Sequence, residues 1–342
     1  MMAEILMQYG LFLAKAVTIL AALAIAVALL MGFSRRERSA ERLEVKHLNA
    51  KYESMGQLLK RETLPKKLFK QEAKAEKARR KAEKKQREGG TAKKRVFVLN
   101  FHGDLKATAV SSLREEVTAV LVSAKETDEI AVRLENAGGL VHEHGLATSQ
   151  LLRVRQQGVP LSVLVDKVAA SGGYMMACVA DRIVAAPFAV IGSIGVLAQL
   201  PNFHRWLDRH GVDFELLKAG EFKRTLTLFG ENTDAERQKM TEDLEDTHAL
   251  FKELVAEYRQ GVDVGKVATG EHWYGKRALE LNLVDDLMTS DDYLVAASRE
   301  AEIYEVSYAG KKTVGERLVS LMQLAAERLF QSAMRRTQDK FI

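Results

Sequence analysis

Cysteine is nearly absent from this chain of 342 residues, Cys178 standing alone. A single thiol excludes an internal disulfide framework and a cysteine-rich zinc site, and it leaves the redox compartment open. A His-Glu-x-x-His sequence is missing too, and His142-x-His144 offers only two ligands, so neither a metal nor any other cofactor is expected. No Gly-x-Ser-x-Gly elbow surrounds Ser171. His102, His142, His144 and His204 read as surface or internally satisfied side chains, not as members of a Ser-His-Asp triad. Net charge is small: 51 Lys and Arg against 46 Asp and Glu leave +5. That balance conceals an asymmetry, with roughly twenty basic residues lying between Arg35 and Arg95.

Apolar residues make up 47% of the chain, enough for a sizeable core. From Leu11 to Phe33 they are almost continuous, interrupted by Lys15, and about twenty such residues in a helix cross a bilayer. The stretch from Gly32 to Arg36 is not a small-x-small cleavage site, so a retained transmembrane anchor is expected over 1–33. Residues 34–94 are rich in Lys, Glu, Ala and Gln, with Glu and Lys three or four apart and hardly any apolar stripe. Such a segment reads as a basic, solvated helical stalk drawn to anionic lipid headgroups. Acids are mixed through it, and its densest part, 71–87, has no aromatic, so nucleic acid is not an expected partner.

At Val96 the texture changes to alternating strands and helices. Val96 to Phe101, Ile130 to Leu134, Leu161 to Val165 and Arg182 to Ala186 read as strands, and Phe214 to Leu217 as a later one. Helices are predicted after Val110, from about Leu140 to Arg155, from Ser171 to Val179 and from about Asp234 to Arg259, the last opened by a Thr233/Glu236 capping box. This alternation predicts parallel βαβ units, which place functional groups at the carboxyl ends of the strands in a domain spanning 95–310. A C-terminal amphipathic helix is expected over 311–342.

Within that domain the stretch Ala169-Ala170-Ser171-Gly172-Gly173 joins a buried strand to a helix. A serine there lies beside free backbone N–H groups and the positive end of a helix dipole, where an oxyanion can be held. Small residues at such a junction also serve close packing alone. A second glycine turn, Asn136-Ala137-Gly138-Gly139, falls on the same edge of a parallel sheet, so its N–H groups can converge on the first. Without a histidine partner, the base for such a serine is a lysine, which acts as a free amine in apolar surroundings. Lys223 has Phe222, Leu226, Leu228 and Phe229 around it, whereas Lys167 stands beside Asp166, where pairing is the simpler fate.

Five stretches then occur in order: Phe101-His102-Gly103-Asp104, Asn136-Ala137-Gly138-Gly139, Ala170-Ser171-Gly172-Gly173-Tyr174, Ile191-Gly192-Ser193-Ile194-Gly195, and Gly220 to Thr227. Together they resemble the signal peptide peptidase A and SohB family of serine–lysine peptidases, over about Val96 to Leu287. The resemblance implies an α/β crotonase/ClpP-like superhelix of βαβ units and hydrolysis of peptide or protein substrates through an acyl-enzyme. It implies Ser171 as nucleophile, Lys223 as general base and the Ser193 hydroxyl as the group that orients the Lys223 amine. It also implies oxyanion donors at the Gly172 N–H and at Gly138 or Gly139. One departure is Ala137, where a proline is usual.

The resemblance further implies a homo-oligomer, with an octameric ring and an active site shared between subunits as its fullest form. An acyl-CoA enzyme of the crotonase type and a non-catalytic membrane scaffold are the alternatives. Arginines after the anchor point the domain inward by the positive-inside rule, and the resemblance points it outward. The adopted expectation is a single-pass protein of the bacterial inner membrane with a periplasmic catalytic domain, the cytoplasmic side being the alternative.

Overall fold

The computed structural model describes residues 42–88, 93–220, 222, 223 and 225–309, together with 15, 17 and 18. Its strands in chain order are β1 (Arg42–His47), β2 (Arg95–His102), β3 (Glu129–Glu135), β4 (Leu161–Val165), β5 (Val168–Ala170), β6 (Arg182–Ala185), β7 (Val190–Gly192), β8 (His272–Tyr274), β9 (Asp286–Leu287) and β10 (Glu302–Ala309). The helices that frame the sheets and the site are α1 (Leu48–Thr63), α2 (Lys66–Glu88), α3 (Val110–Ser123), α4 (Val141–Gln156), α5 (Gly172–Cys178) and α6 (Asp234–Tyr258).

Seven strands form one sheet in the order β1-β10-β2-β3-β4-β6-β9, parallel from β10 through β9. Its central strands are apolar throughout because both faces are covered. Phe97, Leu99 and Phe101 of β2 point into a large core shared with α3, α4 and α5. Their neighbours Val96 and Val98 point into a smaller one with Leu48, Leu294 and Ile303. Side chains alternate between the two because the strand period is two. The βαβ architecture expected from the sequence is therefore present over 95–309.

A second sheet, β5-β7-β8, stands at the carboxyl ends of the first. β5 begins three residues after β4 ends and pairs in parallel with β7, while β8 closes the other side antiparallel. Sequence pattern alone runs β4 straight into the helix, because the three residues of β5 are too few to carry a period. Phe214 to Leu217, read as a strand, forms none and is exposed: among the described residues no strand offers it hydrogen bonds.

The polar segment 34–94 contains more than solvated helix. Residues 42–47 are a sheet strand, Leu48 is buried, and Asn49 Nδ2 donates to the carbonyls of Ser298 and Ala301 while its Oδ1 accepts from Ile303 N. His47 Nε2 lies 2.6 Å from Glu302 Oε2. α1 and α2 continue the chain as charged helices, and Leu48 is the buried residue of α1.

The membrane expectation is corrected. Apart from positions 15, 17 and 18, the apolar run lies outside the described residues, and among those described no helix is long and apolar enough to cross a membrane. The long N-terminal helices that are described, α1 and α2, are too charged to do so. A transmembrane anchor, membrane lipid as a partner and a single-pass place in the inner membrane are accordingly dropped, and the chemistry of the site does not depend on them. The C-terminal helix expected over 311–342 lies outside the described residues.

Candidate active site

Ser171 occupies the junction of β5 and α5 with φ 52° and ψ −121°, a backbone conformation that a residue with a Cβ adopts only under constraint. Two hydrogen bonds impose it: Ser171 N donates to Gly192 O at 2.8 Å, and Ser171 O accepts from Met175 N at 2.9 Å. The first ties the serine to the end of β7 and the second makes it the cap of α5. The next amide, Gly172 N–H, opens α5 and so has no partner within the helix.

The turn after β3 is drawn against this junction by strand-like bonds. Asn136 N donates to Val168 O at 2.9 Å, and Ala170 N donates to Asn136 O at 3.0 Å. Glycines make the approach possible. A Cβ on Gly138, which has φ 92°, would lie 2.7 Å from Ser171 Cβ and 2.8 Å from Gly172 N; a Cβ on Gly173 would lie 2.0 Å from Asn136 O. Gly138 N–H is already given to Asn136 Oδ1 at 2.9 Å. Gly139 N–H has no acceptor among the described residues, so of the two amides in this turn it is the one free to meet a ligand.

Ser193 repeats the geometry of Ser171 one strand away. Ala170 and Gly192 are partners in the β5–β7 register, so the next residues, Ser171 and Ser193, leave adjacent strands at the same level. Ser193 also has φ 52°, and its N–H donates to Glu271 O at 2.6 Å. Both serines, Gly138 and Gly139 line one cavity of about 660 Å³. Its apolar wall is made by Leu105, Leu140, Val141, Val196 and Leu197. His248 of α6 also lines it, with Nε2 3.2 Å from Ile194 O.

Lys223 is not brought to this cavity. Its side chain is exposed, it is not among the cavity's lining residues, and the hydrogen bond described for it runs from its backbone N–H to Gly220 O at 3.2 Å. Lys167 pairs with Glu135 at 3.0 Å, as its neighbourhood implied, though with a different acid from Asp166, whose carboxylate accepts instead from Ser290. His102 and His142 are exposed, and Tyr174 is fully buried with its hydroxyl on Leu283 O at 3.0 Å. Among the described residues no three His, Cys, Asp or Glu side chains cluster in a way that could hold a metal ion.

His144, read from the sequence as a surface or internally satisfied side chain, is of the internally satisfied kind and lies behind the glycine turn. His144 is completely buried and lies between that turn and Gly172, with Nδ1 3.0 Å from Leu140 O and Nε2 3.2 Å from Asn136 Oδ1. The available signal was its place on the inward stripe of α4 with Ala147, Leu151 and Val154.

A serine in a forced conformation, free amides at its side and a second glycine turn closing on it form the arrangement expected of a serine hydrolase. The comparisons with known proteins agree with that class and narrow it. Residues 4–151 match the N-terminal region of peptidase family S49, and residues 153–304 match peptidase family S49 itself. The chain belongs to peptidase family S49, and its activity is that of a serine endopeptidase.

Among curated relatives, the chain is 47% identical over 324 residues to a probable protease SohB of Haemophilus influenzae, covering 92% of each chain. It is 52% identical over 228 residues to a probable protease SohB of Buchnera aphidicola subsp. Acyrthosiphon pisum, covering 67% of this chain and 68% of the relative. Among solved structures, a membrane-bound stomatin-specific protease mutant in complex with a substrate peptide is similar at 14% identity and a TM-score of 0.41, over 68% of this chain and 99% of that one. The architecture of this chain rests on its own sheet topology and not on that likeness.

Proposed function

We propose that the chain cuts peptide bonds through an acyl-enzyme on Ser171. The carrying observation is the forced conformation of Ser171 beside the Gly172 amide, with Gly138 held close enough to exclude a Cβ. Ser171 Oγ attacks the scissile carbonyl carbon while its proton passes to the Lys223 amine. The resulting oxyanion is held by Gly172 N–H and Gly139 N–H, and Gly138 contributes the close approach of the turn. The lysine then returns the proton to the leaving amine, and a water molecule, deprotonated by the same lysine, releases the acyl group. The Ser193 hydroxyl, leaving its strand level with Ser171, orients the lysine amine.

Lys223 serves as a base only as a free amine, a form that apolar burial favours. Its exposure here means that Lys223 must meet the cavity in the active assembly, where Phe214, Leu216, Phe222 and Phe229, all with exposed apolar surface, are suited to covering the lysine. The apolar wall of the cavity supports a preference for an apolar side chain beside the scissile bond.

A fluorophosphonate probe tests the nucleophile. Stoichiometric labelling is expected, with the modified peptide containing Ser171, and none in Ser171→Ala. Labelling that persists in Ser171→Ala would overturn the assignment.

A further inference from the structure

The turn facing Ser171 is held from behind by two side chains that take no part in the hydrolysis at Ser171. Asn136 Oδ1 accepts the Gly138 N–H, which fixes the orientation of the Asn136 amide, since the reversed amide would set its NH2 against that N–H. The second contact of the same oxygen, 3.2 Å from His144 Nε2, is then a hydrogen bond donated by the ring. Nδ1 lies 3.0 Å from Leu140 O, which also receives the N–H groups of Glu143 and His144, and the bond from Nε2 to Asn136 links the ring to the Gly138 amide. The ring also supports the opposite side of the site: a Cβ on Gly172 would lie 2.5 Å from His144 Cγ. One buried imidazole therefore touches both the turn that carries Gly139 and the residue that carries the Gly172 amide.

Backbone bonds hold the ends of the turn, Asn136 to β5 and Leu140 N to Leu105 O at 2.9 Å, but the residues between them add no stiffness of their own. Ala137 has no ring to restrict its backbone, and Gly138 is the most permissive residue there is. With two donors on Oδ1, the Asn136 amide cannot rotate, and the Ala137–Gly138 peptide is kept pointing backward. The adjacent amide, Gly139 N–H, is thereby left for the ligand. We propose that His144, acting through Asn136, is a positioning residue for the oxyanion site, locking the glycine turn and propping Gly172 so that the two donors keep one fixed separation. The inference rests on Ser171 being the nucleophile. Donors aimed at developing charge act in the transition state and not on the bound substrate, so their misplacement lowers kcat and leaves KM.

The test compares His144→Phe, His144→Gln, Asn136→Ala and the double variant His144→Phe/Asn136→Ala in the full chain. Peptide turnover, the rate of fluorophosphonate labelling and thermal melting are measured on each. His144→Phe keeps a ring against Gly172 and removes both nitrogens; it and Asn136→Ala are each expected to lower kcat and labelling rate about 10- to 100-fold with KM within about twofold. The double variant is expected to be no slower than the worse single one, because both act on the same amide. His144→Gln, which can offer an amide N–H to Asn136 Oδ1, is expected to recover most of the rate and guards against misfolding of the phenylalanine variant.

An unchanged kcat, a loss seen in KM alone, or a double variant whose loss is the product of the two singles would overturn the proposal. If Ser171→Ala still labels, the underlying nucleophile assignment fails and this inference with it. If labelling depends on Ser171 yet proceeds at the wild-type rate in His144→Phe, only the positioning role fails.

Discussion

Gly138 and Ser171 are so close that a Cβ on the glycine would stand 2.7 Å from the serine Cβ. The contact joins two segments that are separate in sequence, one after β3 and the other after β5, and no side chain fits between them. Gly138 also has φ 92°, so a substitution there is strained even before the clash is met. Gly138→Ala is expected to displace Ser171 or the turn and to slow fluorophosphonate labelling about 100-fold or more. Thermal denaturation should show a loss of about 1–3 kcal/mol from the positive φ. Labelling at the wild-type rate would mean that the contact does not set the nucleophile's position.

Lys223 separates charge from base chemistry. Lys223→Ala and Lys223→Arg are both expected to lose at least about 1000-fold in peptide turnover, because a guanidinium keeps the charge and cannot accept the proton of Ser171. Recovery of activity in Lys223→Arg would assign the lysine a purely electrostatic role, and full activity in both would remove it from the mechanism.

Cys178 is buried in the core on α5, and burial pushes its thiol up to about 12. A thiol so far above neutral pH supplies almost no thiolate, the species that alkylating reagents attack. Iodoacetamide is therefore expected to leave native peptidase activity untouched and to modify Cys178 only after denaturation. Rapid inactivation by the reagent, with Cys178 as the modified site, would contradict this.

Glu236 links the segment that carries Lys223 to the start of α6. Its carboxylate accepts from Thr233 N at 3.0 Å and from Lys218 Nζ at 2.9 Å. The Thr233 N–H first, and then the Lys218 ammonium, hold its pKa down at about 2. A folded value below the ordinary one of 4.5 means that this stabilisation is complete above about pH 4.5 and is lost as pH falls toward 2. Between those limits wild type should lose stability relative to Glu236→Gln, the two converging at pH 2, as thermal melts across that range will show. Parallel melting curves at every pH would exclude the contribution.

The sequence alone determined the βαβ order, because strands buried on both faces and helices with one inward stripe write their burial into local patterns. Val96 to Phe101, Ile130 to Leu134 and Leu161 to Val165 all lie within β2, β3 and β4. The capping box of α6 was legible for the same reason, its partners being three residues apart. The nearness of the two glycine turns was legible as well, although its cause differs: the second turn ends β5 of the second sheet and not β4, and Asn136 is bonded to β5 on both sides.

Tertiary structure decided the rest, where the cause lies far along the chain. β5 exists because β7 pairs with it, β1 because β10 offers an edge to a segment that reads as plain charge, and residues 214–217 form no strand because no described strand lies beside them to pair with. The forced backbone of Ser171 comes from Gly192, and the burial of His144 comes from Gly172 and Asn136 closing on it. Local sequence carries propensity, but strain and a buried polar pair are imposed by neighbours brought together only when the sheets assemble.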